Sequence, residues 1–331
     1  MKVAIILNSK AGSVDGNSPP ENLISLFKAH GADAEVFAVG GKDLQDAAKR
    51  AADSGFDVVV AAGGDGTVSA VTCALVGMDT VMGVLPLGTL NHFSKDAGIP
   101  AALEDAVKLI ATGTAQPVDV AEVNGMHFIN NSSIGLYPKM VKERDKQQEQ
   151  LSRGKWPAMF SAAVMVFQRL PVIGVRLKKD DNGTVRTAVH RTPFVFIGNN
   201  AYEMNVFTLG TRKSIQGGKL SLYTARDNGL GGFLKIFWHI LLGRIGRRQN
   251  FQTEDFEFQL LDELEIETKR KTLDVSLDGE VRKMKPPLHY KLHPKALRVV
   301  MPQQEPETTG EADAKDTGAK PATEVSKPEV R

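Results

Sequence analysis

The sequence predicts an α/β plus all-β protein: an N-terminal α/β domain on a parallel sheet, then an antiparallel β domain with helical insertions. Three observations predict it. Strand-like and helix-like segments alternate through the first third, which builds a parallel sheet with helices on both faces, hence three layers. After about residue 116 the rhythm changes to many short segments, β-branched or alternating and punctuated by Gly, Asn, Asp and Pro. Such a series builds an antiparallel sandwich or barrel. Third, Val58-Val-Val-Ala-Ala-Gly-Gly-Asp-Gly-Thr67 runs from an apolar strand into a glycine loop and on into a helical pattern at Val68, Val71, Ala74 and Leu75.

Each element has its own signal. Residues 3–7 are an uninterrupted apolar run, read as the first strand, and 8–13 are a small, polar turn. Helices are expected at 22–29, before Gly31, and at 44–52, before Gly55, with a strand at 34–39 between them. A strand at 81–85 leads into Pro86-Leu-Gly-Thr-Leu-Asn91, and a helix at about 102–111 ends at Thr112-Gly113. Short strands are then expected at 118–123, 127–132, 172–178, 185–190, 194–197, 220–224, 256–261, 264–268, 275–278 and 287–292, with Asn124-Gly125 and Asp181-Asn-Gly183 as hairpin signals. Helical insertions are expected at 138–170 and 230–245, the second strongly apolar with a basic end at Arg244, Arg247 and Arg248. That helix reads either as core packing or as a face for a membrane surface with anionic headgroups. The domains expected are 1–120, 121–301 and a disordered tail at 302–331, which is rich in Glu, Thr, Ala, Lys and Pro and has no aromatic residue.

Composition narrows the function. The chain has 331 residues, 42% hydrophobic and 24% charged, as in ordinary globular proteins. A formal charge of +2 argues against a dedicated nucleic-acid binder. The single cysteine, Cys73, falls on the apolar face of the helix after the glycine loop and reads as a small core residue. It allows no disulfide within the chain, which fits a reducing cytoplasm. The N-terminal apolar run is too short for a signal peptide, and no run reaches the roughly 18–20 residues of a membrane-spanning helix.

Ligands of parallel α/β sheets gather at the carboxyl ends of the strands. Three small polar loops leave those ends, at 8–12, 63–67 and 88–91. A strand–glycine loop–helix junction offers free backbone N–H groups to an anion. Asp65 inside that loop would repel a bare phosphate. It makes sense beside a cation such as Mg²⁺, or as a group that handles a proton. The loop is neither a P-loop, which needs a closing Gly-Lys-Ser/Thr, nor a dinucleotide fingerprint.

The ordered series is more specific than any one loop. Ala62-Gly-Gly-Asp-Gly-Thr67 is followed by Gly83-Val-Leu-Pro-Leu-Gly-Thr-Leu-Asn91, Gly98-Ile-Pro100, Asn130-Asn-Ser-Ser-Ile-Gly135, Phe196-Ile-Gly-Asn-Asn200 and Leu277-Asp-Gly-Glu280. Over about residues 1–300 this series resembles the diacylglycerol kinase catalytic-domain family, which includes bacterial lipid kinases and the sphingosine and ceramide kinases. The resemblance implies an α/β nucleotide domain, a β-sandwich lipid-substrate domain and an active site between them. It implies ATP- and Mg²⁺-dependent phosphorylation of a lipid hydroxyl of the diacylglycerol, sphingoid or ceramide kind. Work at the cytoplasmic membrane surface, with peripheral contact, is implied too; a homodimer stays open. By the same resemblance Asn8, Ser9, Lys10, Gly12, Gly64, Asp65, Gly66, Thr67, Thr89 and Asn91 bind the nucleotide. Glu280 is the implied proton acceptor, Asp65 the rival base and the Mg²⁺ ligand.

Three departures stand against the family pattern. His92 replaces an aspartate, Ala38 falls near a nucleotide-contacting threonine, and Gly217 takes the place of an aspartate that holds a structural Mg²⁺ in bacterial members. Two alternatives remain: a soluble phosphotransferase like the NAD kinases, which share a Gly-Gly-Asp loop, and a non-catalytic nucleotide or lipid sensor.

Overall fold

A strand made only of apolar residues must be covered on both faces, and the first strand is. Val3, Ala4, Ile5 and Ile6 of β1 (Lys2–Asn8) are fully buried. In this computed structural model, residues 1–9, 20–135, 138, 173–181, 183–202, 212, 214–225 and 256–303 are described. Residues 139–170 of the insertion expected at 138–170, the insertion expected at 230–245, the tail beyond residue 303, and Lys10 and Gly12 lie outside them.

The α/β part follows in chain order: α1 (Pro20–Ala29), β2 (Asp33–Val39), α2 (Leu44–Asp53), β3 (Val58–Gly63), α3 (Asp65–Leu75), β4 (Val81–Pro86), α4 (His92–Asp96) and α5 (Leu103–Thr112). Strands pair in parallel in the order β2-β1-β3-β4. Each long helix lays one stripe on the sheet. Leu44, Ala47, Ala48 and Ala51 of α2 are buried at helical spacing, as are Ala106, Val107 and Ile110 of α5. The short α4 was not expected from the sequence; five residues are too few for a periodic signal.

The β part comprises β5 (Thr114–Val123), β6 (Met126–Phe128), β7 (Asn131–Gly135), β8 (Ile173–Asp181), β9 (Thr184–Thr192), β10 (Phe194–Asn199), β11 (Leu220–Ala225), β12 (Phe256–Leu261), β13 (Glu263–Glu267), β14 (Leu273–Leu277), β15 (Glu280–Met284) and β16 (Leu288–Met301). One antiparallel sheet runs β12-β11-β10-β7-β14-β15. The other continues the parallel sheet through β16 into β13, β8 and β9, with β5 and β6 branching from β16. Inward residues of both sheets, including Ile134, Val175, Ile197, Ile266, Val275 and Tyr290, form one core, so the β part is a sandwich. Ser132 and Tyr290 hydroxyls meet across it at 3.1 Å.

Three details depart from the sequence reading, the first being β15, where no strand was expected between 278 and 287. The single strand expected at 127–132 is two strands in different sheets, β6 and β7, separated by Ile129 and Asn130. The last strand does not stop near 292. It runs to Met301, pairs with β5 along its length and meets β4 in parallel at Arg298 and Val299. Leu297, Val299 and Met301 thus belong to the core of the α/β part, so the chain's last strand crosses the division drawn at residue 120.

Candidate active site

The three loops at the carboxyl ends of β1, β3 and β4 come together because glycines let them. A Cβ at Gly88 would lie 2.3 Å from Gly64 Cα, so the two loops touch backbone to backbone. Leu87 N–H donates to Gly63 O at 3.1 Å. A Cβ at Gly63 would lie 2.2 Å from Thr67 Oγ1, and its absence lets Thr67 tuck under the loop, where Asn8 Nδ2 donates to that hydroxyl at 3.4 Å. Gly64 caps α3, its carbonyl accepting from the Thr67 and Val68 amides. Asp65 then sits in the first turn, where the helix dipole favours a negative charge. Phe93 N–H donates to Asp65 Oδ1 at 3.3 Å.

Asn91 has a structural task in its own loop. It is left-handed, with φ +49°; its Oδ1 accepts from Gly88 N–H at 3.1 Å, and its Nδ2 donates to Pro86 O at 3.0 Å and Gly88 O at 2.8 Å. Thr89 beside it is exposed. Ser9 donates from its hydroxyl to Val39 O at 3.1 Å, which fixes the chain leaving β1.

The facing wall comes from the turn between β14 and β15. Leu277 pairs with Glu280, leaving a two-residue turn of Asp278 (φ +46°) and Gly279 (φ +88°), the geometry that Asp-Gly favours in hairpins. Turn aspartates are usually solvated, but this one is half-buried and its carboxylate is fully engaged. Asp278 Oδ2 accepts from Ser69 Oγ at 2.7 Å and Ile129 N–H at 3.0 Å, while Oδ1 accepts from Asn130 N–H at 2.8 Å and Asn131 N–H at 3.2 Å. Burial pushes its carboxyl pKa up, and those four donors pull the other way without cancelling it. Asp278 therefore joins α3 of the α/β part to the β6–β7 crossing and to the β14–β15 hairpin. Glu280, two residues on, points out, with its side chain 63% exposed and Arg282 Nη2 at 2.9 Å.

Between the walls lies a cleft of about 850 Å³. Asn8, Gly66 and Ser69 line one side, Asp278, Glu280 and Arg282 the other. Of the residues expected from the sequence, it unites Asn8, Gly66 and Glu280; Asp65, Thr89 and Asn91 are not among its lining residues. Cys73, read from the sequence as a core residue, is half-buried and lines the same cleft. Burial, and then the charges of Asp278 and Glu280, push its thiol up to about 11 against the opposing pull of Arg282.

A residue without a sequence signal braces the site. Arg212 is buried and pairs through Nε with Asp96 Oδ2 of α4 at 2.7 Å. Its Nη1 donates to Ile129 O at 2.7 Å and Asn199 O at 3.2 Å, and its Nη2 to Asn130 Oδ1 at 3.0 Å. Burial works against its charge, but Tyr202 and Asp96 raise its pKa above the ordinary value. Only the fold shows that a lone arginine at 212 meets Asp96. At Gly217 the chain is exposed, and a side chain would meet Asn200 Oδ1 at 3.0 Å.

Comparison with known proteins agrees with this architecture. Residues 2–123 match the model of the diacylglycerol kinase catalytic domain. A "Probable lipid kinase YegS-like" of Citrobacter koseri is 37% identical over 145 residues, 42% of this chain and 48% of the relative. A "Probable lipid kinase YegS" of Salmonella arizonae matches with the same identity and coverage. The chain thus spans about half the length of the curated relatives it matches. The crystal structure of a "putative diacylglycerol kinase" from Bacillus anthracis superposes with a TM-score of 0.68 at 25% identity, covering 91% of this chain and 95% of that one. The chain thus carries a diacylglycerol kinase catalytic-domain match over residues 2–123 and is similar in fold to a diacylglycerol kinase structure along nearly its whole length.

Proposed function

We propose that this chain is a lipid kinase that transfers the γ-phosphoryl group of ATP to a lipid hydroxyl in the cleft between the α/β part and the sandwich. The observation that carries this reading is the cleft itself, which sets the Asn8 and Gly66 side opposite Glu280. Its volume of about 850 Å³ lies within the range of small-molecule and cofactor sites. The residues fit a nucleotide: Gly64 and Gly88 hold two loops at backbone contact, α3 opens beside them, and Lys42 adds a cation to the lining. Bound ATP-Mg²⁺ would supply the phosphoryl group and neutralise its developing charge.

Each residue of this chain has a part in that reading. The amides of Gly64 and Gly66 and the Asn8 side chain bind phosphate oxygens. Asp65, in the first turn of α3 next to the lining residue Gly66, would hold the metal, directly or through water. Glu280 accepts the proton of the attacking hydroxyl, the step that lets the oxygen become a nucleophile. Asp278 is unsuited to that step, because four donors already occupy its carboxylate. Ser9, Thr67, Thr89 and Asn91 shape or flank the nucleotide loops. The membrane surface is the proposed place of work; among the described residues no helix is long and apolar enough to cross a bilayer.

Purified protein incubated with ATP-Mg²⁺ and a panel of diacylglycerols, sphingoid bases, ceramides and phospholipids, read by mass spectrometry, tests the activity. A phosphorylated lipid is the expected product. Absence of product from every lipid alcohol, with ATP binding retained, would leave a nucleotide sensor instead.

A further inference from the structure

Away from the glycine loops, three side chains with metal-ligating atoms converge on one face of the sheet. Glu122 lies on β5 and His127 opposite it on β6, a directly paired position. His293 lies on β16 two residues beyond Lys291, the partner of Glu122, and so shares its face. Glu122 Oε2 is 2.8 Å from His293 Nε2 and 3.9 Å from His127 Nε2. One ligand atom from each residue lies within 4.8 Å of the others, and the imidazole rings approach to 5.6 Å between centroids. Three ligands of one Zn²⁺ ion at about 2.0–2.1 Å stand roughly 3.3 Å apart in tetrahedral geometry. Two of the observed separations, 2.8 and 3.9 Å, bracket that value, and no pair of ligand atoms is more than 4.8 Å apart.

The surroundings favour an ion over a plain surface hydrogen bond. Glu122 Oε1 is held by Gly125 N–H at 2.7 Å, which aims Oε2 at the two imidazoles. An outer hydrogen bond of this kind orients ligands in metal sites. Glu122 and His127 are half-buried, and all three positions are on paired strands rather than on loops. Two nitrogens and one oxygen suit a borderline ion, whereas Mg²⁺ prefers oxygen alone.

We propose that Glu122, His127 and His293 bind a divalent transition ion of the Zn²⁺ class, with three protein ligands and a fourth position left for water or an anionic group. His127 also lines the cleft, so the ion would stand at its wall. The site clasps β6, β5 and β16, and its occupancy would stabilise the folded chain by mass action.

The test uses the full-length, metal-stripped protein. Titration with ZnCl₂ against a chromophoric chelator, and with CoCl₂ read by visible absorption, should reveal one site per chain with the intense bands of four-coordinate Co²⁺. Glu122→Gln, His127→Gln and His293→Gln should each weaken Zn²⁺ binding at least about tenfold. His289→Gln, which alters a histidine paired with Glu265 instead, should bind as wild type does. Zinc should raise the melting temperature of wild type and not that of the His127→Gln/His293→Gln double variant. Circular dichroism identifies any variant that fails to fold, and the cobalt spectrum of wild type stands independently of the variants. Unchanged affinity in the three ligand variants, or a six-coordinate cobalt spectrum in wild type, would overturn the proposal.

Discussion

Asp278 and Glu280 stand two residues apart on one hairpin and have opposite surroundings. The first is half-buried with four donors on its carboxylate; the second is exposed beside Arg282. Replacement of each should therefore fail differently. Glu280→Gln should lower kcat by about 10²- to 10⁴-fold, the usual contribution of a general base, with an unchanged melting curve. Asp278→Ala leaves the Ile129, Asn130 and Asn131 amides without their acceptor and should cost roughly 3 kcal/mol or more of stability, read by urea unfolding. Cys73 reports on the same charges. Its thiol, pushed up to about 11, should resist iodoacetamide at pH 8. Only the thiolate reacts, so the alkylation rate should climb about tenfold for each pH unit until the pH nears that value. Glu280→Gln removes one of the charges that raise the pKa and should speed alkylation at pH 8. A fast, pH-independent reaction would refute the electrostatic picture of the cleft.

At the scale of the element, most of the strand-and-helix alternation is legible in the sequence, because apolar runs and helical stripes carry their own period. Strands β1, β3 and β4 and helices α2, α3 and α5 fall close to where the pattern puts them. Legibility fails where an element is short or where tertiary contacts break it. Helix α4 has five residues, and the split of β6 from β7 depends on Asp278, about 150 residues away in sequence, holding the amides between them. The glycine contact between the β3 and β4 loops is a third case: each glycine is visible in the sequence, but their approach is not. Gly88→Ala would set a methyl group 2.3 Å from Gly64 Cα. The loops must part to relieve it, and ATP affinity measured by calorimetry should fall at least tenfold while the sandwich core, probed by near-ultraviolet circular dichroism, stays native.

Across the whole molecule the two parts are less separable than their compositions imply. Strand β16 belongs to both cores, and the buried Arg212–Asp96 pair ties α4 to the sandwich. Removing one member of a buried pair leaves the other charge uncompensated, at a cost of about 3–5 kcal/mol. Asp96→Ala should therefore lower stability by that order in denaturant unfolding, and more than Glu280→Gln does. A fragment of residues 1–123 would lack Leu297, Val299 and Met301 and expose the β4 edge. It should not give a cooperative thermal transition when expressed alone. A fragment that did melt cooperatively would show that the α/β part folds without the last strand.

The sequence by itself determined the class of fold, the three loops at the strand ends and, through the ordered motifs, the resemblance to the diacylglycerol kinases. These follow from local physics: apolar periodicity selects strands and helices, and glycines mark where backbone must turn or approach. The tertiary structure decided what lies opposite those loops. Asp278, Glu280 and Cys73 share a cleft with Asn8 and Gly66, and Glu122, His127 and His293 meet on one sheet face. Arg212 also finds Asp96 across 116 residues of chain. Each of these meetings joins residues far apart in sequence through strand register or a buried charge, and no local pattern encodes the register between distant strands.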